Sequence, residues 1–245
     1  MARIIYGGRA RLLTQSQQMW YNPLGDLDPS LIHAWQAITG DGRTIPDYAT
    51  SLIDIAAGTQ PLLDTPPVVT APDWDAVDGW GCDGGAAGTK ALRTGFALDV
   101  GCAMFVRFSG ATTNEIRRCC GAMTQATLEG MALHPRYSSG QRMFWNGALP
   151  WVNVVGNPAA GVLAVVAQQG YYNGAASGGA LPAYVGAAPA DCGIGGWLAW
   201  DTPSWQGGGK YIRIQLVAFY HAALIPAMTL AHIVAISARM VAVAP

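Results

Sequence analysis

The stretch Tyr211-Ile212-Arg213-Ile214-Gln215-Leu216-Val217-Ala218-Phe219-Tyr220, followed by Thr229-Leu230-Ala231-His232-Ile233-Val234-Ala235-Ile236-Ser237-Ala238-Arg239-Met240, decides the fold. The first part is rich in β-branched and aromatic residues and predicts a strand. In the second, Ile233, Ile236 and Met240 recur at helical spacing and mark one apolar face. Thr229 stands just before them, where a side-chain oxygen accepts from a free backbone N–H of the first turn. The chain therefore closes with a strand and one short helix near residues 229–240.

Upstream of that ending the pattern is β throughout. Leu31-Ile32-His33-Ala34-Trp35 predicts a short strand, and Thr39-Gly40-Asp41-Gly42-Arg43-Thr44-Ile45-Pro46-Asp47-Tyr48 a turn and loop. Pro61, Pro66, Pro67 and Pro72 mark a long connection. Trp74 to Gly84 then leads through Lys90-Ala91-Leu92-Arg93-Thr94-Gly95-Phe96 and predicts an early hairpin. Cys102 to Phe108 alternates as a strand does, and Gly161 to Ala167 reads as a buried one. Phe144-Trp145-Asn146-Gly147-Ala148-Leu149 and Gly170-Tyr171-Tyr172-Asn173-Gly174-Ala175 each carry Asn-Gly between β formers, which predicts two tight hairpins. Leu181-Pro182-Ala183-Tyr184-Val185-Gly186 predicts a further strand. Short strands at even spacing point to a sandwich or jelly roll.

In order, these segments resemble the laminin-G-like branch of concanavalin-A-like jelly rolls. The resemblance runs from about Leu31 to Met240. Its carriers are Trp35 with Asp47-Tyr48, Trp74 to Gly84 with Thr94-Gly95, Phe144 to Gly147, Gly161 to Gly174, Tyr184 to Gly186, and Ala218-Phe219-Tyr220 with Leu224. It departs at Cys82, where the family usually has Phe, and around residues 191–209. The ordered motifs are similar to those of single-domain proteins of tailed phages. The fold class implied is an all-β, concanavalin-A-like (laminin-G-like) β-sandwich with a short C-terminal helix. One domain is expected over 31–245, preceded by an arm over 1–30.

Charged residues make up 12% of the 245 residues, hydrophobic residues 51%, and the net charge is −1. So weak a charge does not attract a polyanion, and nucleic acid is not an expected partner. Few ions also predict that part of the surface is buried against other copies or other proteins. The arm adds to this expectation through Ile4, Ile5, Tyr6, Leu12, Leu13, Met19, Trp20 and Tyr21, which follow no clean period. No apolar run approaches the length of a membrane span, and the start is too short in apolar residues for a signal peptide. Five cysteines without CxxC spacing predict free thiols made in a reducing cytoplasm.

The fold class includes glucanases with a Glu-x-Asp-x-Glu strand, but Glu115 and Glu129 are the only glutamates and form no such motif. Asp75, Asp78 and Asp83 read as turn residues that bond their own backbone. His33, His134, His221 and His232 lie at no metal-ligand spacing. No catalytic residue, metal or cofactor is therefore expected. Calcium held by Asp191 and Asp201 is the disfavoured alternative.

The segment 191–209 stands out because it sets Trp197, Trp200 and Trp205, with Asp201, between glycine-rich flanks. Such a segment has three readings: a lid on the sandwich, a subunit interface, or a platform for sugar rings. The favoured function from resemblance is a non-enzymatic structural or adhesive component of a tailed-phage virion, in a capsid or tail position. Its expected partners are other virion proteins or copies of itself. The alternative is a glycan-binding lectin that attaches to a host surface; a glycoside hydrolase ranks below both.

Overall fold

The computed structural model describes residues 3–6, 9–12, 19–56, 69–82, 91–95, 101–111, 119–124, 129–135, 141–147, 152–156, 158–182, 192–195, 197–199, 204–206 and 212–243. In chain order the first strands are β1 (Arg3–Tyr6), β2 (Arg9–Leu12), β3 (Ile32–Gln36), β4 (Trp74–Asp75), β5 (Gly79–Gly81) and β6 (Leu92–Arg93). Next come β7 (Ala103–Ser109), β8 (Cys120–Thr124), β9 (Glu129–His134), β10 (Gln141–Gly147), β11 (Val152–Val155) and β12 (Gly161–Val166). The last are β13 (Gln169–Tyr172), β14 (Ala175–Ala176), β15 (Gly193–Ile194), β16 (Trp197–Ala199), β17 (Ser204–Gln206) and β18 (Arg213–Tyr220). Helix α1 (Tyr48–Ser51) is one turn, and α2 (Leu230–Val243) closes the chain as expected.

Two sheets form the sandwich. The first has the order β14-β13-β12-β7-β18-β5-β4, with β3 also paired to β18. The second has the order β11-β10-β9-β8-β15-β6, with the β16–β17 hairpin attached to β8. All pairings are antiparallel except β16 with β8.

The inner faces meet in a core that includes Trp35, Trp80, Met104, Val106, Phe108, Leu133, Phe144, Leu163, Val165, Val217 and Phe219. Cys82 sits in it fully buried, filling with a small thiol the place where Phe was expected. The other face of the first sheet is covered too. Ala103, Phe105, Val162, Ala164, Leu216, Ala218 and Tyr220 pack under Ile233, Ile236 and Met240 of α2 and under Trp20, Tyr21 and Leu27. The protein is thus three layers deep on this side. That explains why β12 reads as a continuous apolar run: a strand buried on both faces has no polar alternate. In β18 a bulge between Ile214 and Leu216 shifts the phase, so Ile214 and Val217 both face the inner core while Leu216 faces the helix.

This third layer buries within the chain part of the apolar surface that the low charge content implies. Part of the expected arm belongs to it. Trp20 and Tyr21 pack on this chain's own first sheet, and the Trp20 Nε1–H donates to Gln36 Oε1 at 3.0 Å. The docked part begins at Met19, and Trp20, Tyr21 and Leu27 are its buried anchors. Further upstream β1 and β2 pair as a hairpin, Tyr6 opposite Arg9, and the two residues between are Gly7 and Gly8. Ile4, Ile5, Tyr6 and Leu12 belong to that ladder, and Leu13 lies outside the described residues.

Of the two Asn-Gly signals, one makes a turn. Asn173 and Gly174 both have positive φ, 49° and 81°, and join β13 to β14 with Tyr172 opposite Ala175. Asn146-Gly147 instead lies inside β10, with Asn146 opposite Met131 and Gly147 opposite Gly130. Pairing with β9 along the whole strand overrides the local turn preference there. Leu181 and Pro182, expected in a strand, are in no strand, and the rest of that segment lies outside the described residues.

Candidate functional site

The outer face of the second sheet is built from its register. Met131 and Leu133 of β9 point into the core, so Gly130, Ala132 and His134 occupy the outer pleat. One row crosses five strands of this face. Trp145 of β10 stands opposite Ala132 of β9, Ala132 opposite Gly121 of β8, Gly121 opposite Gly193 of β15, and Gly193 opposite Arg93 of β6. Four inter-strand steps make the row about 19 Å long at the usual spacing. An aromatic position and a guanidinium position thus bound three small residues.

The small residues are required. A Cβ on Gly121 would lie 2.8 Å from the Met131 carbonyl oxygen and 3.0 Å from the Ala132 Cβ. Gly121, Ala132 and Gly193 are buried, so the row is a bed beneath larger groups rather than a bare floor. Beside it, Leu198 of β16 pairs with Ala122 of β8 and with Trp205 of β17, and Trp197 pairs with Gln206. Two of the three expected tryptophans therefore lie in the β16–β17 ladder attached to β8. Trp200, Asp201 and Asp191 lie outside the described residues.

Sequence reasoning missed Trp145 because its place in the row follows only from the register of β10, β9 and β8. The recoverable signal was the alternation Gly130-x-Ala132-x-His134, small residues on one face of a strand whose other face is Met131 and Leu133.

The carboxylates behave as the turn chemistry predicts. Asp75 accepts from the backbone N–H of Val77 at 2.7 Å and of Asp78 at 3.0 Å, and these bonds hold its pKa below the usual value. Asp28 and Asp47 start short helical turns in the same way, and Asp73 bonds Thr70. Asp26, Asp41 and Asp54 hold His232, Arg239 and His33. Asp83 lies outside the described residues. All five cysteines are free and buried, with Cys120 and Cys192 Sγ atoms 3.3 Å apart. Among the described residues, no helix is long and apolar enough to cross a membrane.

No family model matches the chain, and no curated protein does. Similar solved structures exist. The sialidase of Trypanosoma rangeli bound to 2-keto-3-deoxy-D-glycero-D-galacto-2,3-difluoro-nononic acid aligns at 10% identity over 87% of this chain and 33% of that chain, with a TM-score of 0.48. Domain 4 of AbnA, an extracellular arabinanase from Geobacillus stearothermophilus in complex with arabinotriose, aligns at 17% identity over 91% of this chain and 95% of that one, with a TM-score of 0.39. The apo Crh5 transglycosylase aligns at 14% identity over 54% and 68%, with a TM-score of 0.33. The chain spans about a third of the sialidase chains it matches. These findings overturn the expected virion structural role: the similar structures are a sialidase, an arabinanase domain and a transglycosylase.

Proposed function

We propose that this chain is a carbohydrate-binding β-sandwich of the concanavalin-A-like kind, which holds a glycan on the outer face of its second sheet. The observation that carries the reading is the row Trp145–Ala132–Gly121–Gly193–Arg93, with Trp197 on the adjoining strand β16. Sugar rings present apolar C–H faces that stack on aromatic rings, while their hydroxyls take donors such as a guanidinium. In this reading the protein binds without turnover and without calcium.

Affinity electrophoresis in gels containing soluble neutral or acidic polysaccharides, together with a glycan array, tests the reading. The wild-type chain is expected to be retarded by at least one polysaccharide, equally with and without EDTA. Trp145→Ala and Trp197→Ala, each checked for folding by circular dichroism, are expected to weaken binding about tenfold or more, the equivalent of roughly 1.4 kcal/mol. A wild-type chain that binds no glycan on either platform, or folded variants that bind as well as wild type, overturns it.

A further inference from the structure

Two histidines that are 188 residues apart in sequence meet at one end of the first sheet. His33 lies on β3 opposite Phe219, and His221 follows directly after β18. Their Nε2 atoms are 3.4 Å apart, and their rings lie 5.4 Å apart between centroids at 49°. Both residues are partly exposed. Behind them sits Asp54, whose side chain is fully buried. Asp54 Oδ2 lies 2.6 Å from His33 Nδ1, and its Oδ1 accepts from the backbone N–H groups of Ala34 and Ala56 at 3.1 and 3.0 Å. The His33 ring also stacks on Trp35, with centroids 6.0 Å apart and planes 12° apart.

We propose that His33 and His221 form a binding site for a divalent transition metal ion, with zinc preferred. A carboxylate only accepts, so the bond to Asp54 puts the proton of neutral His33 on Nδ1, and its Nε2 accepts from His221 Nε2–H, a proton that passes to His221 Nδ1 or to solvent when an ion takes its place. A ligating histidine whose other nitrogen donates to a carboxylate is the arrangement that fixes tautomer and ring orientation at metal centres. Asp54 and Trp35 hold the His33 ring from two sides in this structure before any ion arrives. The 3.4 Å separation also selects among ions. Two nitrogens at the Zn–N distance on a tetrahedral ion stand about 3.3–3.4 Å apart, whereas adjacent ligands of a square-planar or octahedral ion stand closer, near 3 Å. The described residues offer no group of three metal-ligating side chains here, so water or an exogenous ligand completes the coordination. The proposal is independent of glycan binding, because the pair lies on the first sheet.

Isothermal titration of the full chain with zinc chloride tests it, with nickel chloride as the competing ion. The expected result is one zinc ion per chain, bound more tightly than nickel. His221→Gln, at a partly exposed position, is expected to lower zinc affinity at least tenfold. Asp54→Asn should lower it through orientation alone by about 10–100-fold. A zinc titration followed through the imidazole C–H resonances should move His33 and His221 and leave His134 and His232 in place. Absence of zinc binding at millimolar concentration, or a folded His221→Gln chain with wild-type affinity, overturns the proposal. So does a resonance shift confined to His134 or His232.

Discussion

The Tyr220 hydroxyl donates to the backbone carbonyl of Tyr21 at 2.6 Å, tying the end of the last strand to a segment 199 residues earlier. Tyr220 is fully buried, so this bond satisfies the one polar group it carries into the helix-side core. Tyr220→Phe leaves the Tyr21 carbonyl without that donor and is expected to cost about 1–2 kcal/mol of stability. Removing residues 1–30 uncovers Phe105, Leu216 and Tyr220 and should cost far more. Chemical denaturation of both variants checks the two magnitudes. A truncated chain as stable as the full one would mean that residues 19–27 do not dock.

Asp41 is a second clip between the chain's ends. Its Oδ2 accepts from the Trp20 backbone N–H at 2.8 Å, while its Oδ1 pairs with the Arg239 guanidinium on α2. Its side chain is only 3% exposed, against 40% for Arg239, so the carboxylate feels little screening and the guanidinium more. Asp41→Ala loses both bonds and is expected to destabilise by about 2 kcal/mol, with Arg239→Ala costing less. The ordering of the two variants in a thermal melt is the discriminating readout.

Most of the sandwich was legible in the sequence because its strands are buried in a patterned way. β12 announced itself as an apolar run, β7 by alternation, β18 by its β-branched and aromatic residues, and Ile233, Ile236 and Met240 as a helix face. What stayed hidden depends on contacts distant in sequence. Nothing in Gly130-Met131-Ala132 says that Gly121 and Trp145 lie beside it; only strand register does. Nothing in His33 or His221 alone says that they meet, since their approach follows from β3 pairing with β18. The fate of Trp20 and Tyr21 was hidden for a related reason. An irregular segment shows no period even when it docks, because its partner surface supplies the order. Asn146-Gly147 failed in the opposite sense, a correct local preference outvoted by a full ladder to β9.

The Asn173-Gly174 turn predicts a sharp substitution effect. Gly174 has φ of 81°, and a Cβ there would approach the Val234 Cα of α2 at 3.1 Å. Gly174→Ala therefore meets backbone strain and a close contact with the helix together, and is expected to cost about 1–2 kcal/mol. Asn173 adds a side-chain bond, its Oδ1 accepting from the Val162 N–H at 2.8 Å. Asn173→Gly keeps the φ but loses the acceptor, so it should cost less than Gly174→Ala. Paired melting curves of the two single variants decide the order.

The buried thiols set the response to alkaline pH. Burial pushes Cys82 up to about 12 from an ordinary value near 9, and pushes Cys119 and Tyr220 up as well. Between pH 9 and 12 the unfolded chain has therefore lost protons that the folded chain still holds. Stability rises with pH only where the unfolded state binds more protons, so here it must fall. Unfolding free energy should be flat from neutral pH to about 9 and decline steadily above it. The same shift keeps the Cys82 and Cys119 thiols protonated in the folded chain at pH 8, and the thiolate is the reactive form. Iodoacetamide at pH 8 is thus expected to leave the native protein almost unmodified and to label five thiols in denaturant, as counted by intact-mass spectrometry. Fast labelling of the native chain would show that these side chains are reached by solvent, and the alkaline decline in stability should then disappear with it.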